Sequence, residues 1–406
     1  MTPCRIAMIC FHSCPQGQLG ARDVGGMNVY VRELARGLGA LGYEVDIFTR
    51  AHNPPDLPVV NLFQNVRLIH LRAGPVEDMD KMAQFSFLAE FRQGIADFAL
   101  TEGVRYCLIH SHYWLSGLAG LPLSDAWGVP LVTAFHTLGA AKNSLPVGKR
   151  EPDVRLAAER EVARACRHLI ATTKDEEGQL MRLFGVEAGK ISVVPCGIDI
   201  GLFRPVAQAA ARQTLGLAAG VKIALFVGRI EPLKGLGRLV RALSLLPHDL
   251  RLLIIGGDAC GRAEVEGLIS HAEGLGVAER IEFLGAVSQE RLPLYYSAAD
   301  ATVVASYYES FCLVILESLA CGTPVVSTKV GIAPAVLGGI NGCVADEGTP
   351  QALAHSLAQV LDLGRDSEVV RHRQGTVAAY NWTEVAERVA AAYERVLMAG
   401  GRAQSG

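Results

Sequence analysis

"KIALFVGRI", residues 222–230, is an apolar, β-rich run that ends in Gly228-Arg229 and follows a polar, Ala-rich break over residues 205–220. It opens a series of similar runs: "LRLLIIGG" (250–257), "RIEFLGAV" (280–287), "ATVVAS" (301–306) and "TPVVST" (323–328). An earlier series stands before the break: "RIAMIC" (5–10), "EVDIFTR" (44–50), "YCLIHSH" (106–112), "PLVTAFH" (130–136), "HLIATT" (168–173) and "ISVVPCG" (191–197). Amphipathic helical stretches such as "MNVYVRELARGLGALG" (27–42) separate the runs. Strands that are apolar throughout, with helices between them, make parallel sheets covered on both faces. Two series in one chain therefore predict two doubly wound α/β domains, residues 1–204 and 205–376. Residues 377–406 form a terminal segment whose "NWTEVAERVAAAYERVLMAG" (381–400) reads as a helix capped by Asn381 or Thr383.

The bulk numbers agree with this size of fold. The chain has 406 residues, half of them hydrophobic, enough for two domains with substantial cores. A formal net charge of -3 gives no general reason to expect nucleic-acid binding. No run of about 18 apolar residues suggests a membrane span, and "MTPCRIAMIC" (1–10) lacks the features of a signal peptide. A cytoplasmic protein is the expectation. The 10 cysteines stand singly among apolar neighbours, Cys107, Cys166, Cys312 and Cys321 among them, and Cys10 and Cys14 have no second pair to complete a zinc site. Buried reduced thiols and no metal centre are expected.

In doubly wound sheets ligands sit at the carboxyl ends of the strands, and the unusual residues fall there. "CPQGQLGARDVGGMNVY" (14–30) follows the first strand, carries Gly17, Gly20, Gly25 and Gly26, and runs into a helix. Glycines let a ligand approach the backbone, and free N–H groups at a helix start attract anions. An ordinary βα loop is the alternative, against which Asp23 and Asn28 flank the glycine pair. The pattern is not GxGxxG, so a dinucleotide fingerprint is not supported. His110, His112 and His136 end neighbouring strands near Tyr113, Thr137 and Lys142; hydrogen-bonded core histidines are the plainer reading of each alone. Arg229 and Lys234 leave the "KIALFV" strand in "FVGRIEPLKG" (226–235) and suit a diphosphate, the guanidinium bidentately and the ammonium as a point charge. Finally, "SYYESFCLVILE" (306–317) holds Glu309 and Glu317 eight positions apart. That spacing predicts a helix starting near Glu309 with both acids close to one face.

"GRIEPLKG" (228–235), the Glu-x7-Glu stretch and "ACGTPVVST" (320–328) resemble the retaining nucleotide-sugar glycosyltransferases of family 4 (GT4), which have the GT-B fold. The resemblance covers nearly the whole chain, with the motifs in order. It implies that two Rossmann-like domains face each other across a cleft, that the terminal helix crosses back to the first domain, and that a homodimer is compatible. It implies a catalytic set of His136, Glu309, Arg229 and Lys234, with Glu317 on the donor's ribose. The donor site would add Gly25, Gly26, Val287, Ser310, Phe311, Cys312 and Leu313. Family members usually have Gly where this chain has Cys312.

"DVGGMNVYVRELARGL" (23–38), "IHSHYWLSG" (109–117) and "HTLGAAKN" with "EPDVR" (136–143, 151–155) resemble, more finely, the inositol-phosphate N-acetylglucosaminyltransferases of mycothiol synthesis. Sucrose-phosphate synthases are more distant relatives. The resemblance implies an acceptor phosphate held by Lys81, Tyr113, Thr137 and Arg155, with His12, Asp23 and Asn28 in the acceptor site. It implies transfer from UDP-glucose or UDP-N-acetylglucosamine to a phosphorylated small molecule, with no cofactor required and Mg²⁺ compatible but not essential. Other acceptors within the class, including polysaccharide or lipid, a UDP-sugar isomerase and a non-catalytic sugar-nucleotide binder remain the alternatives.

Overall fold

Apolar β-branched runs such as Ile6–Ile9 are buried on both faces, and burial on both faces requires helices above and below the sheet. The protein is described here by a computed structural model covering residues 4–17, 25–53, 58–257 and 262–403. The first sheet comprises β1 (Arg5–Ile9), β2 (Glu44–Arg50), β3 (Val59–Phe63), β4 (Val66–Leu71), β5 (Leu108–His112), β6 (Leu131–Ala134), β7 (His168–Ala171) and β8 (Ile191–Val193). Its spatial order is β3-β4-β2-β1-β5-β6-β7-β8, parallel throughout except for the antiparallel β3–β4 pair at one edge. The second comprises β9 (Lys222–Val227), β10 (Leu250–Ile255), β11 (Ile281–Gly285), β12 (Ala301–Val304), β13 (Val325–Ser327) and β14 (Gly342–Val344), in the parallel order β11-β10-β9-β12-β13-β14. The chain switches direction across each sheet beside its first strand, at β1/β5 and at β9/β12, where a crevice opens at the carboxyl ends.

Strands β3, β4 and β14 are additions to the expected set. Asn61, Arg67 and His70 interrupt the apolar pattern in the edge pair, and β14 has three residues. The helix expected near Glu309 begins instead at Leu313 and runs to Ala320. Cys312, with φ 76°, is left-handed and cannot continue a helix backwards, so Ser306–Phe311 form a loop. Glu309 and Glu317 therefore lie on different elements, and their spacing is not that of one helix face.

Cys107 is also corrected: its Sγ is bonded to Cys4, with Cα atoms 5.8 Å apart. These residues flank the adjacent strands β1 and β5 but are 103 positions apart in sequence, so spacing could not reveal the pair. The other described cysteines, Cys10, Cys14, Cys166, Cys196, Cys312, Cys321 and Cys343, are free.

The last helix, Trp382–Ala403, is capped by Asn381, whose Oδ1 accepts from the Glu384 amide at 2.9 Å. It lies along the helix Gly26–Ala40 of the first domain. Gly37 makes the close approach possible, since a Cβ there would stand 2.6 Å from that of Ala386. The Trp382 ring meets Tyr30 edge-on at 5.8 Å. One apolar cluster thus continues from β1 through this helix into the core of the second domain. Among the described residues no helix is long and apolar enough to cross a membrane.

Candidate active site

A cavity of about 360 Å³ lies between the two sheets at their carboxyl ends. Its walls hold Gly25, Gly26, Asn28, Lys81, Tyr113 and His12, then His136 and Thr137, from the first domain. The second contributes Arg229, Lys234, Val287, Glu309, Ser310, Phe311, Cys312, Leu313 and Glu317. Arg155 stands behind the wall, 2% exposed. Asp23 and Gly20 lie outside the described residues.

On the second domain's side, Glu309 Oε1 accepts from Lys234 Nζ at 2.7 Å and from Ser306 Oγ at 2.6 Å. Burial alone would lower the Lys234 pKa, but the adjacent carboxylate leaves it raised. The cation is thus fixed in its charged form, with a partner that an anionic ligand can replace. Arg229 is more open, its guanidinium 3.1 Å from Glu231. Glu317 reaches the cavity from within the Leu313–Ala320 helix. Burial raises its pKa to about 7, although the Tyr296 hydroxyl donates to it at 2.6 Å. A buried carboxyl with one donor is poised to accept hydroxyl hydrogen bonds from a ligand.

Gly25 precedes the helix Gly26–Ala40, and a Cβ on Gly26 would stand 3.6 Å from Leu313 across the cavity. Asn28 accepts from the Gly25 amide at 2.9 Å, and its Nδ2 donates to Ser13 Oγ and Cys14 O at 2.7 and 2.8 Å. Its side chain therefore holds the loop that shapes the cavity.

The opposite wall is cationic and crowded. Arg155 donates from Nε to Glu159 at 2.7 Å and from Nη2 to the Thr137 carbonyl and hydroxyl at 3.1 and 3.0 Å. Its Nη1 lies 2.8 Å from Glu151, and the guanidinium sits 4.8 Å over the Tyr113 ring. Lys81 Nζ approaches the same ring at 5.7 Å. Glu151, which the sequence did not mark as a site residue, also accepts from Lys142 Nζ at 3.1 Å. Against the effect of burial, Arg155 and Lys142 hold the Glu151 carboxyl below its ordinary range. Lys142 itself lines the cavity. The fourfold engagement of Arg155 makes it the brace of Thr137 and Tyr113 in this state of the protein.

Among the described residues four non-glycine positions have positive φ, and Tyr113 (77°), His136 (62°) and Cys312 (76°) line this one cavity. Such strain persists only where the surroundings over-determine it, and it clusters at functional sites.

Comparison with known proteins agrees with this geometry. The model described as Glycosyltransferase Family 4 matches residues 24–202, and Glycosyl transferases group 1 matches residues 207–393. A D-inositol 3-phosphate glycosyltransferase 2 from Catenulispora acidiphila is 41% identical, over 97% of this chain and 95% of its own. This chain is a family 4 glycosyltransferase. A D-inositol 3-phosphate glycosyltransferase from Mycolicibacterium smegmatis is 40% identical, covering 98% of this chain and 92% of its own. Among solved structures, the sucrose-phosphate synthase of Thermosynechococcus elongatus superposes with a TM-score of 0.90 at 33% identity, covering 98% of this chain and all of that one. The facing parallel-sheet domains of this glycosyltransferase are the GT-B arrangement.

Behind the cavity of the glycosyltransferase lie His110 and His112, next to the His136 that lines it. His112 Nδ1 is 2.9 Å from His136 Nε2, and His110 Nδ1 is 2.7 Å from the Tyr393 hydroxyl of the last helix. Burial lowers His110 and His136 to about 3, so both rings are neutral at pH 7. Among the described residues no group of three or more His, Cys, Asp or Glu side chains could hold a metal ion.

Proposed function

We propose that this glycosyltransferase moves a hexose from UDP-glucose or UDP-N-acetylglucosamine to a phosphorylated polyol or sugar, with retention of the anomeric configuration. The observation that carries the reading is cationic residues on both walls of one cavity, Arg229 and Lys234 on one side and Lys81 and Lys142 on the other. Two phosphorylated substrates match two cationic walls. The relatives named for D-inositol 3-phosphate favour an inositol phosphate as acceptor. A second reading, a hexose phosphate, is supported by the 33% identity to a sucrose-phosphate synthase. A cytoplasmic location belongs to the same proposal, supported by the seven free cysteines among the described residues, against which stands the Cys4–Cys107 bond.

In this reading the bond between the sugar C1 and the diphosphate oxygen breaks, and its electron pair leaves with the diphosphate. Arg229, Lys234 and the amides at Gly25–Gly26 take up the developing charge, a preorganised electrostatic effect worth several kcal/mol. The acceptor hydroxyl forms the new bond from the face the diphosphate leaves, and its proton passes to the departing phosphate oxygen. Glu317 accepts from the ribose hydroxyls, and Glu309, freed from Lys234, faces the sugar. His136, held neutral by burial, orients the donor sugar and need not store a proton. Closure of the domains excludes water that would hydrolyse the donor.

The test is UDP release from the purified chain, with each UDP-sugar offered inositol phosphate, fructose 6-phosphate or no acceptor. Release that depends on one phosphorylated acceptor is expected. Release indifferent to the acceptor, or absent with every pair, would overturn the reading.

A further inference from the structure

Between β12 and the Leu313–Ala320 helix, the segment 306–312 belongs to the second domain. The Tyr307 amide donates to the Leu233 carbonyl at 2.8 Å, and Ser306 holds Glu309. Two of its side chains nevertheless reach across the cavity. The Tyr308 hydroxyl accepts from the Leu138 amide at 3.2 Å, and Ser310 Oγ donates to the His136 carbonyl. In return, the hydroxyls of Thr172 and Thr173, just beyond β7, donate to the Ser310 carbonyl at 3.3 and 3.4 Å. Tyr308 and Ser310 are the immediate neighbours of Glu309.

The turn they grip is the strained one. His136 stands at φ 62°, and the first domain holds this turn through His112, Arg155 and Glu159, the last accepting from the Gly139 amide at 2.9 Å. Two further polar groups of the turn, the His136 carbonyl and the Leu138 amide, are satisfied from the other domain. A parting of the domains would break both bonds together, because Tyr308 and Ser310 ride on one loop. A left-handed non-glycine residue needs such support to hold its conformation.

We infer that the Tyr308–Ser310 segment is a clasp, with Tyr308 a positioning residue that locks the His136 turn only when the loop carrying Glu309 has closed onto it. The clasp registers the carboxylate facing the donor sugar against His136 and keeps the site incomplete, hence slow to hydrolyse donor, while the domains are apart. Its catalytic consequence rests on the transfer reading above; its mechanical part does not.

The deciding variant is Tyr308→Phe, which deletes one hydroxyl and leaves the Leu138 amide without that partner. In the full chain without ligand, hydrogen exchange at the Leu138 amide should accelerate about tenfold. Turnover with the acceptor should fall about tenfold while UDP affinity and donor KM hold, and the share of donor lost to hydrolysis should rise. The double variant with Ser310→Ala should lose less than the two single losses combined, since either change opens the same clasp. Unchanged exchange at Leu138 would overturn the clasp whatever the substrates prove to be. A loss of turnover matched by an equal loss of UDP affinity would reduce Tyr308 to a structural residue and overturn its positioning role.

Discussion

Glu317 illustrates how a buried carboxyl in the cavity wall weakens the protein that carries it. Its carboxyl is buried, and its pKa is raised from the ordinary 4.5 to about 7. The folded state therefore binds this proton more tightly than the unfolded chain. The stability it contributes is fully present below pH 4.5 and is lost as pH rises through about 7. Glu317→Gln keeps the shape without the ionisation, so its stability advantage over the parent should widen by about 2 kcal/mol between pH 5 and pH 8. Urea unfolding at the two pH values measures this; a gap independent of pH would show that Glu317 does not titrate as its burial implies. Donor KM should rise in the same variant. At Cys312 the strain is conformational: φ 76° is a backbone position that glycine adopts without cost, so the cysteine there is strained. The acids, cations and His136 were legible individually because charged and polar residues stand out in apolar runs. Tyr308 was not, since it matters through Leu138, 170 positions distant, and Glu151 was not, since its pairing with Lys142 and Arg155 depends on how the loop between them folds.

At the scale of elements, the close packing of the helices Gly26–Ala40 and Trp382–Ala403 depends on a missing side chain. A methyl group at Gly37 would stand 2.6 Å from the Ala386 Cβ and 3.4 Å from the Trp382 carbonyl. Gly37→Ala gains about 1 kcal/mol of helix propensity, but overpacking a fitted contact costs about 1–3 kcal/mol. A net loss of about 1 kcal/mol is expected from the denaturant midpoint; a stabilised variant would mean that the two helices are free to part. Most strands seen in the sequence are buried on both faces, and their apolar runs need no knowledge of neighbours; β8 and β11 carry the same kind of run but are only partly buried. The missed ones, β3, β4 and β14, are short or mixed in character and owe their form to the strand beside them. The start of the Leu313–Ala320 helix was missed because a left-handed cysteine, unlike a glycine, does not announce a break.

For the whole molecule, the last helix ties the domains together. Tyr30 packs on Trp382, and Tyr393 bonds His110 behind the cavity. A chain ending at Asn381 would uncover this apolar seam and leave the first domain without part of its core. We expect it to bind a hydrophobic dye and to melt well below the full chain, as scanning calorimetry would record; an unchanged melting temperature would remove the helix from the account of the core. The cavity is built from segments as distant as Gly25 and Glu317.

The sequence by itself determined two doubly wound halves, because apolar strands and amphipathic helices are written in local periodicity. It also marked many of the residues that line the cavity, Arg229, Lys234, Glu309 and His136 among them, because strand ends are local too. Only the tertiary structure decided that Arg155 braces Thr137 and Tyr113, that Cys4 meets Cys107, and that Tyr308 reaches the His136 turn. Those are matters of ångström-scale distance between segments whose separation along the chain carries no trace of it.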